Sequence, residues 1–377
     1  MPLESIPRIT PPTQMGSYRP EDVTFLLKDI SDVSLEVGTK DREEQIQNGK
    51  HYSEMLPIEY QPSTEYLQLY HHMLKQNAEK VALAVGVVSE QIYQRKGRQV
   101  VLASLARAGT PIGILIKRYL EQRYHFHVPH YSISIIRGKG IDENALLYML
   151  QEHPEANIQF VDGWTGKGAI TQVLQEACSH FEKKYHVSLD HRLAVLADPG
   201  QCVDLFGTRE DFLIPSACLN STVSGLMSRT VLREDIIGPS DFHGAKYYSH
   251  LIGEDLSQNF VDTISHFFNT VLSEVDIVLA NLKREKHEVT WAGFKAIKSI
   301  QDMYEIHDIN LVKPGIGETT RVLLRRVPWK ILVDRLDNPH LKHIYLLAQD
   351  RKVPIEVFPH LTYSCCGIIQ SQRGETS

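Results

Sequence analysis

Three short stretches hold the residues best suited to chemistry. In "NIQFVDGWTGKG" (157–168) an apolar run ends at Asp162, and Gly163, Thr165, Gly166 and Gly168 then crowd around one Trp and Lys167. In "LASLARAGTPIG" (102–113) a second apolar run opens into Arg107, Ala108 and Gly109. In "IIRGKGID" (135–142) Arg137 and Lys139 sit on a glycine-bounded loop. Small residues let main-chain N–H groups approach an anion, and a helix starting just after them adds favourable partial charge. Arg107 adds a permanent positive charge. The pattern is neither G-x-x-x-x-G-K-[ST] nor G-x-G-x-x-G. Its distinguishing feature is the acid at the strand end. Accepting hydrogen bonds from ribose hydroxyls would explain a carboxylate there. A tight strand-to-helix turn capped by an aspartate is the structural alternative.

The elements around these loops alternate. Strands are expected at 99–106, 132–136, 158–162 and 192–198, and helices at 110–124, 142–153 and from about 167 to 185. Such alternation implies an α/β fold with a mostly parallel sheet covered on both faces. Ligands of open parallel sheets sit beyond the carboxyl ends of the strands, where all three loops fall. Three anion-friendly loops on one edge suit a ligand with phosphate at both ends. Upstream, Ser63 or Thr64 caps a long helical pattern with a break expected near Asn77. Residues 206–303 are less regular, with a helix pair or one long helix over 260–282. The remainder, "TRVLLRRVPWK" through "CCGIIQ", reads as strand, helix, strand, strand, with Arg321, Arg325, Arg326 and Lys330 alternating with apolar residues across two possible strands.

At 377 residues the chain calls for two or three domains. We expect an extended arm over 1–20, which holds five prolines, a main domain over 21–303 with hood segments at its N-terminal region and at 206–303, and a small α/β domain over 305–377. The 42% hydrophobic and 23% charged content is that of a soluble protein, and a net charge of -6 argues against wholesale polyanion binding. The five cysteines show no zinc spacing, so no metal site is expected from them. Their odd number and the lack of a signal peptide point to the cytoplasm. No run approaches the roughly 18 apolar residues of a membrane span.

The order "LARAGTPIG", "SIIRGKGID", "FVDGWTGKG" resembles the pyrophosphate, flexible and phosphoribosyl-pyrophosphate loops of type I phosphoribosyltransferases. Nearly the whole chain, including "YRPEDVTFLLKDI", "KHYSEMLP" and "LNSTVSGLMSRTVL", resembles the predicted phosphoribosyltransferase family of bacterial tellurite-resistance and stress gene clusters, also labelled cysteine protease StiP. That resemblance implies a type I phosphoribosyltransferase-like sheet with a hood. It implies Asp162 on the ribose hydroxyls, Thr165, Gly166, Lys167 and Gly168 around the 5′-phosphate, and Arg107, Ala108 and Gly109 on pyrophosphate. Arg137 or Lys139 would close over the site. The expected activity is transfer from phosphoribosyl pyrophosphate, with Mg²⁺, to an unknown acceptor. The second acid of ordinary type I enzymes is here Gly163, and their TTGxT tail is shortened to "TGKG". Asp198 in "LADPG" and His243 in "DFHGAKYY" are candidates for touching substrate, each with an ordinary turn or cap as the alternative.

Two other chemistries compete. Cys218, in a small polar setting with His243 downstream, could serve a cysteine protease or acyl transferase, although a lone buried Cys is more often packing. In the tail, eight Lys/Arg stand against three Asp between Arg321 and Lys352. "ILVDRLDNPHLKHIYLLAQDRKVPIEVFP" resembles the Pelota-like branch of the L7Ae RNA-binding fold. That resemblance implies a small α/β sandwich gripping structured RNA, with Arg325 and Arg326 as candidate contacts, or a binding module without turnover. A solvated face of an accessory domain is the plainer alternative. No membrane partner is expected, and a homo-oligomer is compatible with the sequence.

Overall fold

Short runs rich in Val, Leu, Ile and Ala fold into strands covered on both sides. The computed structural model describes residues 6–285, 287–359 and 361–371. Its central sheet contains β1 (Thr24–Phe25), β2 (Val100–Leu105), β3 (His130–Ile133), β4 (Asn157–Trp164), β5 (Ala194–Ala197) and β6 (Leu205–Thr208) in the order β1-β3-β2-β4-β5-β6. Every pairing is parallel, with Val101 opposite Ile158 and Val195 opposite Asp162. All six residues of β2 are buried, as two covered faces require. The first five residues of the expected arm lie outside the described residues. Further along the arm, Arg8 pairs with Glu152 at 3.0 Å and the Ile9 N–H donates to Gln151 at 2.9 Å.

The helices of this part are α1 (Thr39–Gln47), α2 (Thr64–Lys96), α3 (Gly109–Tyr124), α4 (Glu143–Glu152), α5 (Ala169–Tyr185), α6 (Ser257–Ser265) and α7 (Phe268–Arg284). The 260–282 pattern therefore resolves as a helix pair. The break expected near Asn77 is absent: α2 runs 33 residues without interruption. The Asn77 amide donates to the Leu213 carbonyl at 2.9 Å, so its polarity serves a tertiary contact. Val81, Ala82, Val85 and Val88 bury the face beyond it, and packing overrides the local signal.

The C-terminal part contains α8 (Ala292–Met303), β7 (Val312–Pro314), α9 (Ile316–Arg325), β8 (Pro328–Val333), α10 (Lys342–Asp350), β9 (Ile355–Val357) and β10 (Cys365–Ile369). Its sheet has the order β7-β10-β8-β9, antiparallel except for β8 with β9. Helix α8 packs its Ile297 and Ile300 with Val312, Leu332 and Ile368 of this sheet. The strand expected around Arg321 and Arg325 is instead the helix α9. Its buried Ile316, Thr319, Thr320, Val322 and Leu323 repeat at helical spacing. Its first N–H is capped from outside, since Ile316 N–H donates to Asp211 at 3.0 Å. Among the described residues no helix is long and apolar enough to cross a membrane.

Candidate functional site

The strand order puts the turns after β2 and β4 side by side at the carboxyl edge of the sheet. The end of the first turn packs directly on strand β4, so closely that a Cβ on Gly109 would lie 2.5 Å from the Val161 carbonyl oxygen. Glycine at 109 is therefore fixed by the packing of backbone on backbone. The cis Ala106–Arg107 peptide lies in the first of these turns.

Beside this edge lies a cavity of about 320 Å³, walled by Arg107, Ala108, Arg137, Asp162, Trp164 and Arg229 among others. A second cavity of about 650 Å³ adjoins it and shares Arg107, Arg137, Arg229 and Arg321. It continues along Glu59, Lys313, Glu318 and Arg325. The cleft thus runs between the central sheet and the C-terminal part. Asp162 accepts the Gly163 N–H at 2.7 Å, and burial pushes its carboxyl up to about 7. Arg107 donates to the Met227 carbonyl at 3.0 Å and lies 3.5 Å from Glu59. Arg137 is exposed, spans toward Asn310 at 3.5 Å and lies over the Tyr52 ring. Lys139 lies in the exposed turn of a small hairpin and lines neither cavity.

The second glycine-rich turn has a different fate. Thr165 is buried, and its hydroxyl donates to Asp198 at 2.6 Å. The Tyr363 hydroxyl donates to the Gly166 carbonyl at 3.0 Å. Lys167 donates to the Ile309 carbonyl at 2.8 Å, and burial followed by repulsion from Lys313 and Arg137 pulls its ammonium down to about 8. Gly168 has φ +79°, and a Cβ there would fall 2.3 Å from Trp291. Residues 165–168 are thus roofed by the C-terminal part.

Asp198 is fully buried and holds its own turn by accepting from Thr165 and from the Cys202 N–H at 2.8 Å. His243 bonds Ser134 through Nδ1 at 2.8 Å, and its own N–H donates to Asp142 at 2.6 Å. Neither lines the two cavities. Cys218 ends a short turn, Pro215–Cys218, and its neighbours Ser216, Leu219 and Asn220 line the smaller cavity. Its side chain is buried in the main core, and burial pushes the thiol up to about 12 against the opposing pull of Arg321 and Arg325. Among the described residues no histidine hydrogen-bonds its sulfur, so the Cys218–His243 pair considered from sequence is not formed. Arg325 donates to the Cys218 carbonyl at 2.9 Å, and Arg321 to that of Ala217 at 3.1 Å. Arg326 lines the larger cavity.

Sequence reasoning missed Arg229, Arg321, Tyr52 and Glu59. Arg229 stands in "GLMSRTVL", where nothing local marks it as cavity-facing. Arg321 was read on a strand, which hid its direction.

Fold and site together define a two-part α/β protein with an arginine-rich cleft at the junction of a parallel sheet and a small C-terminal domain. Residues 16–265 match the family described as tellurite-like stress resistance cysteine protease StiP, and residues 291–371 match the PELOTA RNA binding domain. The chain is 34% identical over 351 residues to the cysteine protease StiP of Acinetobacter baylyi (strain ATCC 33305 / BD413 / ADP1), covering 91% of this chain and 90% of that protein. The chain belongs to the StiP family and carries a Pelota-type C-terminal domain. The expected phosphoribosyl transfer is corrected by these findings, because both the family and the relative are named as cysteine protease. Geometry agrees with the correction, since the turn expected to cradle a 5′-phosphate is covered by Tyr363 and Trp291. With that reading goes the reason for the sugar donor and its Mg²⁺.

Proposed function

We propose that this chain is a cysteine peptidase in which Cys218 is the nucleophile and the junction cleft holds the substrate. The observation that carries the choice of thiol is its position. All five cysteines are free and buried, but the residues flanking Cys218 line the cleft and two guanidiniums, Arg321 and Arg325, act on its sulfur. The family description and the relative's name support the peptidase class. At rest the thiol is protonated. Attack requires the Pro215–Cys218 turn to swing the sulfur toward the cleft, where the two cations favour the thiolate. The sulfur then bonds to the peptide carbonyl carbon, the C–N bond breaks, and the departing amine takes the thiol's proton. Water hydrolyses the resulting thioester. Buried free thiols suit a reducing compartment, and a cytoplasmic location is part of this proposal. The test is cleavage of an unfolded protein substrate by purified protein. Cys218→Ser should abolish cleavage while Cys202→Ser retains it, and cleavage that survives Cys218→Ser would overturn the assignment.

A second reading concerns the C-terminal domain, whose matched description is RNA binding. One observation favours an RNA face away from the cleft. Trp329 is exposed, Tyr304 meets it edge-on at 6.0 Å, and Lys330 lies 4.7 Å over the Tyr304 ring. Lys330 also pairs with Glu356 at 2.6 Å, so it is the exposed Trp329 ring, suited to stacking an unpaired base, that carries this reading. Arg325, by contrast, is engaged with Cys218. Retention of a structured RNA at low salt should fall with Trp329→Ala and persist with Arg325→Gln. The reverse pattern would move the RNA to the cleft.

A further inference from the structure

The cleft contains cations that the protein itself does not neutralise. Arg229 and Lys313 make no ion pair and no side-chain hydrogen bond among the described residues, yet Arg229 lines both cavities and Lys313 the larger. Burial, followed by the like charges of Arg42 and Arg107, pulls the Arg229 guanidinium down to about 10. Glu59 pairs with Arg107 and Glu318 with Arg321, which leaves Arg229 and Lys313 as two cations of the cleft with no ion-pair partner of their own among the described residues, and an anion with more than one charge would complete them.

The surroundings discriminate among anions. Of the four aromatic side chains that line the two cavities, Tyr52, Trp164 and Tyr66 are each covered by an arginine, and Tyr60 stays exposed. Arg229 lies 4.9 Å over Tyr52, Arg321 lies 5.2 Å over Trp164, and Arg325 lies 5.2 Å over Tyr66. A nucleobase would find only Tyr60 to stack on, whereas the three stacked guanidiniums present their edges to carboxylates. The carboxylates of Glu59 and Glu318 interrupt the cationic wall. They would repel a continuous phosphate backbone and can accept from the N–H groups of a polypeptide.

We infer that the cleft selects an acidic polypeptide segment, with Arg229 and Lys313 binding separate carboxylates of the substrate and Arg321 of the C-terminal domain completing the site. This names the substrate class of the peptidase reading and rests on it for turnover, though not for binding. The C-terminal domain is thereby part of the substrate site.

The test uses full-length protein carrying Cys218→Ser, so that binding is read without cleavage, by fluorescence anisotropy. The probes are a labelled Glu-rich peptide, its Gln counterpart, and a single-stranded oligonucleotide of similar length. The Glu peptide should bind at least about tenfold tighter than the Gln peptide and lose affinity with salt. Arg229→Gln and Lys313→Gln should each weaken it about tenfold, with partial recovery in Arg229→Lys and unchanged thermal unfolding. Equal binding of Glu and Gln peptides, or tighter binding of the oligonucleotide, would overturn the inference. Binding of the Glu peptide with no cleavage by the wild-type chain would sink the peptidase reading of Cys218 and leave the acidic ligand standing.

Discussion

The turn after β2 and the turn after β4 look alike in sequence, each an apolar strand opening into small residues before a helix. In the fold they part company. Arg107 and Ala108 border an open cavity, whereas Thr165 to Gly168 are pressed between the central sheet and the C-terminal domain. The difference teaches that glycines at a strand end report close approach of backbone, and that the approaching partner can be ligand or protein. Here one turn kept its solvent side and the other became a docking surface for the chain's own C-terminal part.

The strongest way to break this comparison is at Gly109, where the first turn packs on strand β4 just before the second turn. Gly109→Val would drive its side chain into the Val161 carbonyl and the Asp162 Cα, both backbone. It should destabilise the protein by about 3 kcal/mol, at the upper end for overpacking, seen as a lowered urea midpoint. A midpoint unchanged from wild type would mean the first turn and strand β4 are farther apart than described. A milder change sharpens the other side. Tyr363→Phe removes only the hydroxyl that donates to Gly166 and should cost about 1 kcal/mol. Faster hydrogen exchange should then be confined to 165–168, with the turn at 107–109 unaffected. Exchange rising equally in both turns would deny them separate roles.

The smallest effect expected is in the pH dependence of docking. Asp211 accepts the N–H of Ile316 at 3.0 Å and of Ser364 at 2.9 Å, joining the two parts, and burial pushes its carboxyl up to about 6. The folded value lies above the ordinary one of about 3.9. The folded state therefore retains a proton between about pH 4 and pH 6 that the unfolded chain has released. Stability from this group falls as pH rises through that window. Asp211→Asn should flatten that part of the melting-temperature profile. A variant profile as steep as wild type would assign the slope to another group.

Much of the fold was legible because it rests on strong local patterns. The buried strands Val100–Leu105 and Asn157–Trp164 and the amphipathic Ala169–Tyr185 all follow from apolar runs and helical spacing. The break assigned to Asn77 failed because its amide bonds a carbonyl 136 residues away, which no local signal carries. Residues 316–325 were misread because alternating Arg and apolar residues suit a strand as well as a helix, and the cap that decides comes from Asp211. At the site, the sheet edge and Arg107, Arg137 and Asp162 were legible, being tied to strand ends. The roof over Thr165–Gly168 and the inward direction of Arg321 were not, since both depend on how the C-terminal domain docks. Cys218 was visible only as a candidate, because its value depends on Arg321 and Arg325, about a hundred residues downstream.

As the proposed nucleophile, Cys218 would form a covalent bond to substrate at the junction cleft. Its most direct test is to treat the native full-length chain with an acidic peptide carrying a thiol-reactive acyloxymethyl ketone and to map the adduct by mass spectrometry. One adduct is expected, on the peptide containing Cys218, reduced by Arg229→Gln and by competing Glu-rich peptide. An adduct on Cys202 or another thiol, or none at Cys218 while the unfolded chain labels readily, would contradict it.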